Sequence, residues 1–151
     1  MGSVTPSERL DELESGKNPR LVARMPSGFA VMHEWQHWPG YCLLLASPMA
    51  ENLNALHGDA RSQFLSDMSR LGDAILEATG AARINYSIYG NLDPFLHAHI
   101  VPRFADESEP YGTMPPLAVS AAERESANDR YQAEDHDVLR DRIGDHLRSL
   151  D

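Results

Sequence analysis

The alternation of apolar and polar residues predicts two early strands and a long helix after them. Phe29–Met32 and Tyr41–Ala46 are short apolar runs, and residues 33–40 between them form a polar and aromatic turn that ends in Pro39-Gly40. In the next segment, apolar residues recur at intervals of three and four until Gly80: Leu53, Leu56, Ala60, Phe64, Met68, Leu71 and Ile75. This spacing predicts a helix whose apolar face belongs to the core.

Weaker patterns predict further elements. Residues 7–15 fit a short helix, with Ser7 as its N-cap and Gly16 at its end. Residues 84–89 have the composition of a strand, and the turn of residues 90–94 follows them. A last helix near residues 136–150 has apolar residues at helical spacing: Leu139, Ile143, Leu147 and Leu150.

Residues 94–103, Pro-Phe-Leu-His-Ala-His-Ile-Val-Pro-Arg, place two imidazoles one residue apart in an apolar run. Side chains alternate between the two faces of a strand, so Phe95, His97 and His99 share one face. Leu96, Ala98 and Ile100 take the other face. We expect the strand to stop at Pro102, because proline cannot donate to a sheet ladder. The pattern predicts one core face and one face with two titratable rings.

The order of these elements predicts an α+β domain with an antiparallel sheet and the long helix packed on one face. Three segments follow from the changes in composition. Residues 1–20 form an N-terminal segment, residues 21–105 form the folded domain, and residues 106–151 form an acidic C-terminal extension with a helix.

Composition limits the environment of the protein. The chain has 151 residues, 42% of them hydrophobic, which is enough for one domain with a real core. No apolar stretch approaches the roughly 18–20 residues of a membrane-spanning helix, and residues 1–11 lack a signal-peptide core. Cys42 is the single cysteine, which excludes an intramolecular disulfide and fits a reducing compartment. Its apolar neighbours predict a buried thiol. We expect a cytoplasmic protein.

The net charge of −10 disfavours nucleic acid and anionic membranes as partners. The charge is unevenly distributed, since residues 106–151 hold 12 acids and 5 bases, against 11 and 8 in residues 1–105. Residues 1–105, which include the histidine pair, therefore carry only a small negative charge. A small anionic ligand is compatible with it.

The histidine pair suits phosphoryl chemistry without a cofactor. A neutral imidazole can attack phosphorus, while a second one stabilises the phosphate charge or protonates the leaving group. In the preceding turn, Gly90 lets the backbone approach a ligand, and the amide of Asn91 can donate to phosphate oxygens. The sequence has no phosphate-binding Gly-rich loop followed by Lys, and no paired-Asp metal site.

Other interpretations of these residues stay open. The pair can be structural and half-buried, or it can bind a metal with a third ligand from His33, His37, His57 or Asp93. The aromatic turn of residues 33–40 can form the wall of a base-binding pocket or lie exposed on the surface. Asn85 can bond across strands or contact a ligand. Arg103 can bind a phosphate or form a salt bridge at the strand end.

Two blocks of sequence resemble the histidine triad (HIT) family. The first contains Asn85, Gly90-Asn91 and Pro94, followed by Leu-His-Ala-His-Ile-Val-Pro-Arg at residues 96–103. The second, Trp-Pro-Gly-Tyr-Cys-Leu-Leu-Leu at residues 38–45, is similar to the family's Pro-Gly-aromatic entry into an apolar strand. The long helix lies between the blocks, as in the family, and the resemblance covers roughly residues 25–105.

The resemblance implies a nucleotide hydrolase or transferase that cleaves nucleoside phosphoramidates or dinucleoside polyphosphates through a nucleotidyl-histidine intermediate. His97 matches the nucleophile, and His99 matches the histidine that contacts the phosphate and leaving group. Asn91 matches a loop asparagine. Asn85, Gly90, Asn91 and Phe95 are the candidate substrate-binding residues. The family also implies a homodimer, no cofactor and no metal for the displacement.

Two departures from the family pattern bear on activity. Phe95 occupies the first triad position, and Phe has no side-chain hydrogen bond to offer. Residues 46–49, Ala-Ser-Pro-Met, stand where the family usually has a Lys-x-His segment. The alternative function is therefore a nucleotide-binding protein with weak or lost turnover.

Overall fold

A five-stranded antiparallel sheet forms the centre of the molecule. The computed structural model describes residues 6–124 and 129–150, and its strands lie in the order β1-β2-β3-β5-β4. In chain order they are β1 (Leu21–Met25), β2 (Gly28–Met32), β3 (Cys42–Ala46), β4 (Arg83–Ser87) and β5 (His97–Arg103). The prediction of an α+β fold with an antiparallel sheet is confirmed.

Helices pack on both faces of this sheet. The part of the chain that the structure describes contains the α-helices α1 (Pro6–Glu14), α2 (Gly58–Thr79), α3 (Ala121–Arg124) and α4 (Ala133–Ser149). Helices α2 and α4 pack on each other and cover one face, while Leu10 and Leu13 of α1 lie on the opposite face. Ser7 lies inside α1 rather than capping it, because the helix already begins at Pro6.

The core lies between the sheet and the pair α2 and α4. Leu96, Ala98 and Ile100 are buried there with Ile143 and Leu147 of α4 and with four residues of the predicted apolar face, Phe64, Met68, Leu71 and Ile75. The prediction is wrong for Ala60, which lies exposed in the first turn of α2. Cys42 is fully buried in this core, and burial raises the pKa of its thiol well above the usual range. The prediction of a buried cysteine is confirmed.

Strand β1 was absent from the sequence-based elements, which had only two strands before the long helix. It has five residues, its exposed Arg24 interrupts the apolar run, and its register against β2 shifts between Leu21 and Ala23. Such a short edge strand has no clean alternation to detect. Its place in the sheet comes from pairing with β2.

The long helix begins later than the apolar spacing predicts. Residues 53–55 form a separate 3₁₀ turn because the Asn52 side chain accepts a hydrogen bond from the Ala55 amide at 2.9 Å. The backbone is then extended at Leu56 and His57 before α2 starts. The predicted end is correct, since Gly80 adopts a left-handed conformation with φ of 71°.

Strand β5 does not stop at Pro102 but continues to Arg103. Pro102 lies opposite Ile84 of β4, while β3 begins only at Cys42, opposite Ile100. The Arg103 carbonyl accepts a hydrogen bond from the Ala82 amide on the β4 side. Neighbouring residues of a strand point their amides to opposite sides, so the ring nitrogen of Pro102 faces the β3 side, beyond the last residue of β5 that pairs with β3. No ladder bond is lost there, which is why proline is tolerated.

Among the described helices, none is long and apolar enough to cross a membrane. The division of the chain into residues 1–20, 21–105 and 106–151 stays a prediction. Residues from both outer segments contribute to the packing, since α1 and α4 contact opposite faces of the sheet.

Candidate active site

The two histidines of β5 lie side by side on the sheet face opposite α2 and α4. The ring of His97 is stacked on Phe95, with 4.8 Å between centroids, and its centroid lies 5.2 Å from that of His99. The alternation of the strand predicts this shared face, and the structure confirms it.

A cavity of about 490 Å³ opens in front of His97 and His99. Its floor is apolar and comes from β2 and β3, through Val31, Leu43 and Leu45. Its polar rim is supplied by several elements: Arg9, Glu12, Asn18, Arg20, Glu34 and Asp93. The sequence analysis did not predict that α1 lines this cavity. The spacing of Leu10 and Leu13 was the available signal, but it does not say which face the helix covers.

One ring nitrogen of His97 is fixed by the backbone of its own strand. His97 is 8% exposed, and its Nδ1 lies 2.9 Å from the carbonyl oxygen of Phe95. A carbonyl only accepts, so Nδ1 carries the proton and donates it. The lone pair of the neutral ring is therefore on Nε2. This is the protonation pattern that a nucleophilic imidazole needs.

His99 has the opposite arrangement at Nδ1. The Tyr41 hydroxyl lies 2.6 Å from this nitrogen, and burial raises the pKa of Tyr41 well above its usual range, so the hydroxyl keeps its proton. Among the described residues no other acceptor is bonded to that hydroxyl, so we assign it as the donor to Nδ1. The proton of the neutral His99 ring is therefore on Nε2. Burial first, and then the neighbouring His97, lower the pKa of His99 to about 4. His99 is thus a neutral N–H donor near pH 7.

His33 is a third histidine in the same cavity, contributed by the turn after β2. Its Nδ1 accepts a hydrogen bond from the Trp35 amide at 3.0 Å, and its ring stacks on Tyr41 with 4.1 Å between centroids. Burial lowers the pKa of His33 to about 3, and repulsion from His99 in its protonated form is the second cause. The sequence placed His33 only in a possible metal site or base pocket.

The free Nε2 atoms of these three histidines are accessible. None of them has a hydrogen-bond partner within the described residues. Across residues 6–124 and 129–150, the buried side-chain atoms without a partner are Trp35 Nε1 and Arg124 Nε. The three Nε2 atoms therefore keep contact with solvent at the cavity.

Phe95 is buried in an apolar cluster beside the histidines and is 1% exposed. The members of this cluster come from α1 and three strands: Leu10, Leu13, Phe29, Val31 and Leu45. The guanidinium of Arg9 lies 5.9 Å from the centre of the Phe95 ring. Phe95 therefore links α1 to the strand that carries His97.

The remaining candidate substrate-binding residues, from the loop before β5 and from β4, are not among the residues that line the cavity. Gly90, with φ of 77°, and Asn91 belong to the loop before β5, where Asn91 is exposed and Asp93 is the residue that lines the cavity. Asn85 accepts a hydrogen bond from Arg103 at 2.8 Å and lines a separate pocket. The structure does not bring Asn85 into the histidine cavity.

Arg103 forms a buried ion pair with Glu107, with 3.0 Å between NH2 and Oε1, and its guanidinium lies over the Trp38 ring. The salt-bridge interpretation of Arg103 therefore describes the structure. The exposed-turn interpretation of residues 33–40 is wrong, because Trp35 and Trp38 are 5% and 1% exposed. They pack with Tyr41 and Val101, and half of the residues of this turn are buried.

Two other candidate metal ligands lie apart from the pair. His37 contacts Asp129, with 3.3 Å between Nδ1 and Oδ2, and His57 is exposed before α2. Among the residues that the structure describes, no group of three His, Cys, Asp or Glu side chains is arranged to hold a metal ion.

Comparison with solved structures identifies the fold. A hypothetical histidine triad nucleotide-binding protein from Sulfolobus tokodaii superposes with a TM-score of 0.70 at 15% identity, covering 93% of this chain and 91% of that one. A histidine triad protein from Sinorhizobium meliloti has a TM-score of 0.70 at 18% identity, with 90% and 93% coverage. A zinc-bound histidine triad family protein from Mycobacterium smegmatis has a TM-score of 0.65 at 15% identity, with 92% and 94% coverage.

Neither the models of known families nor the curated protein sequences match this chain. The relationship is therefore visible in three dimensions and not in overall sequence. The chain has the histidine triad fold, as its two sequence blocks suggest.

Proposed function

We propose that this protein binds a nucleotide in the histidine cavity and cleaves it as a hydrolase or nucleotidyl transferase, through a nucleotide bound covalently to His97. The observation that carries the proposal is the Nδ1 bond from His97 to the Phe95 carbonyl. It leaves the lone pair on Nε2, beside a cavity large enough for a small ligand. The substrates are nucleoside phosphoramidates or dinucleoside polyphosphates.

The first step forms a bond between His97 Nε2 and the α-phosphorus, while the bond from phosphorus to the leaving nitrogen or oxygen breaks. The leaving group departs with that electron pair and takes its proton from water. The positive charge on the imidazole is shared with Nδ1–H, which donates to the carbonyl of Phe95. No metal or cofactor takes part in this step.

The second step releases the product. Water attacks the phosphorus, the N–P bond breaks, and the electron pair returns to Nε2 of His97 while the proton of the water goes to solvent. The product is a nucleoside monophosphate, or a new ester when another acceptor replaces water. The Nε2–H of His99 stabilises the oxygen charge in both steps without giving up its proton, because the ring is neutral.

The other residues of the cavity are proposed to bind the base, the sugar and the phosphate of the nucleotide. The apolar floor of Val31, Leu43 and Leu45 suits a base or a sugar face. Asn91 and the backbone at Gly90 are proposed to close on the phosphate from the loop before β5. We also propose a cytoplasmic homodimer that binds neither nucleic acid nor anionic membranes, in keeping with the net charge of −10.

A single-turnover experiment with excess protein over adenosine phosphoramidate or diadenosine polyphosphate tests this function. The reaction is stopped in alkaline denaturant, since a phosphorus–nitrogen bond is labile in acid, and the adduct is located by peptide mass spectrometry. We expect an adenylyl group on His97, and a kcat roughly 10³-fold lower in His97→Ala. Equal activity of both proteins overturns the proposal, and so does a requirement for stoichiometric zinc.

Phe95 favours a second candidate function, a nucleotide-binding protein without efficient turnover. Its ring fills the first triad position and is held by the apolar cluster, so the Phe95 side chain adds no hydrogen bond near His97. Nucleotide binding by wild type without adduct or product supports this candidate. An adduct that forms and turns over at a steady rate excludes it.

A further inference from the structure

His33 lies in the histidine cavity, yet the proposed mechanism assigns it no role. It follows β2 and faces Tyr41 across the sheet, where its amide donates to the Tyr41 carbonyl at 2.9 Å. Its ring centroid lies 6.2 Å from that of His99. A histidine from the turn after β2 therefore lies next to the pair on β5.

Tyr41 holds both of these rings. Its ring stacks on His33 with an interplanar angle of 3°, and its hydroxyl donates to Nδ1 of His99. The Trp35 amide donates to Nδ1 of His33. Because both Nδ1 atoms accept, both neutral rings carry their proton on Nε2. His97 is the reverse case, with its proton on Nδ1 and its lone pair on Nε2.

The cavity therefore contains one Nε2 lone pair and two Nε2–H donors. Donors that are neutral and held in place cost less to bury than cations, and they need no reorganisation when charge develops on an oxygen. Arg20 also lines the cavity, where its guanidinium donates to the Met32 carbonyl at 2.9 Å and pairs with Glu34 at 3.5 Å. Within residues 6–124 and 129–150, neither imidazole has a hydrogen-bond partner at Nε2.

We propose that His33 contacts the substrate and that Nε2–H of His33 and Nε2–H of His99 together bind two oxygens of the phosphoryl group attacked by His97. This inference rests on the proposed function. His33 would supply, from the turn after β2, an imidazole in place of the one that the first triad position lacks at Phe95. Tyr41 is the positioning residue that orients both donors.

Two substitutions at His33 separate its contact with substrate from its part in the turn. His33→Asn keeps an oxygen at the position of Nδ1, so the bond from the Trp35 amide is retained and the cavity donor is lost. His33→Gln places an amide N–H at the same number of bonds as Nε2. We expect kcat to fall roughly 100-fold in His33→Asn, with a smaller change in KM, and to recover in part in His33→Gln.

His37→Gln is the matched control, since His37 belongs to the same turn but lines a different cavity. We expect it to keep the wild-type kcat. An active wild type with unchanged kcat in His33→Asn overturns the inference and leaves the proposed function intact. Equal losses in His33→Asn and His33→Gln, with folding preserved, overturn it as well.

Binding decides the inference even when no turnover is found. In long-range ¹H–¹⁵N spectra, we expect His33 and His99 of the free protein to carry protons on Nε2. Added inorganic phosphate or AMP should shift both Nε2–H signals, and adenosine should not. A His33 signal that responds to adenosine alone places the contact on the sugar and overturns the inference. Failure of AMP and phosphate to bind overturns it together with the proposed function.

Discussion

The two faces of β5 follow different rules although they alternate along one strand. Leu96, Ala98 and Ile100 enter a continuous apolar core with α2 and α4. His97 and His99 face a cavity with polar groups from distant parts of the chain. The first face is stabilised by burial, which has no direction, and the second depends on individual hydrogen bonds with defined donors and acceptors.

This difference separates stability from chemistry within a few residues. Loss of a methylene group on the core face should change the free energy of unfolding and leave the tautomers of the histidines alone. Loss of one hydrogen bond on the cavity face should change which ring nitrogen is protonated. Substitutions on the two faces can therefore be compared directly.

The largest expected effect on stability comes from Ile100→Ala. Ile100 is fully buried, and truncation should lower the free energy of unfolding by about 2–5 kcal/mol. Urea denaturation measures this change, and residual activity at saturating substrate should stay close to wild type while the protein is folded. A loss of activity without a loss of stability would show that the two faces are not independent.

Phe95→His tests the boundary between the faces. An imidazole there would lie among Leu10, Leu13 and Leu45, where a polar group without a partner costs about 1–3 kcal/mol. We expect lower stability and no gain in rate, because His33 already supplies a donor. Phe95→Leu is the apolar control. A tenfold rise in kcat would instead show that the first triad position limits turnover.

The smallest effect is expected in the pH dependence of stability. The pKa values of His33 and His99, about 3 and 4, lie below the ordinary value of about 6.5. The unfolded chain then binds protons that the folded chain does not bind. The free energy of unfolding should therefore fall as the pH decreases from about 6.5 toward 4.

His33→Asn should reduce this loss between pH 7 and pH 5 by about 1–2 kcal/mol, measured by urea denaturation at each pH. His57→Gln, at an exposed position before α2, is the control for the loss of a histidine outside the cavity. An identical pH dependence in wild type and His33→Asn would mean that His33 is protonated in the folded protein near pH 5.

Local periodicity was sufficient for the core face of the fold. The spacing of apolar residues from Phe64 to Ile75 in α2 and the alternation in β5 identified buried side chains, and Gly80 marked the helix end. The alternation also placed His97 and His99 on one face. These features depend on residues close in sequence, which is why the sequence predicts them.

The cavity depends on contacts between segments far apart in sequence. Tyr41 reaches His99 because β3 pairs with β5 in a register that sets Leu43 opposite His99, and no local pattern specifies that register. His33 enters the site because it lies next to Tyr41 across β2 and β3. The resemblance to histidine triad proteins pointed to the two histidines of β5 but not to these partners.

Helix α1 is joined to β1 by residues 15–20 and forms one wall of the hollow in front of the histidines. The sheet keeps its own hydrophobic support from α2 and α4 on the far side. Under the proposed function, ligand selectivity can therefore diverge by changing a peripheral segment, with His97, His99 and their scaffold left untouched. Substitutions in α1 are then the direct route to an altered ligand preference.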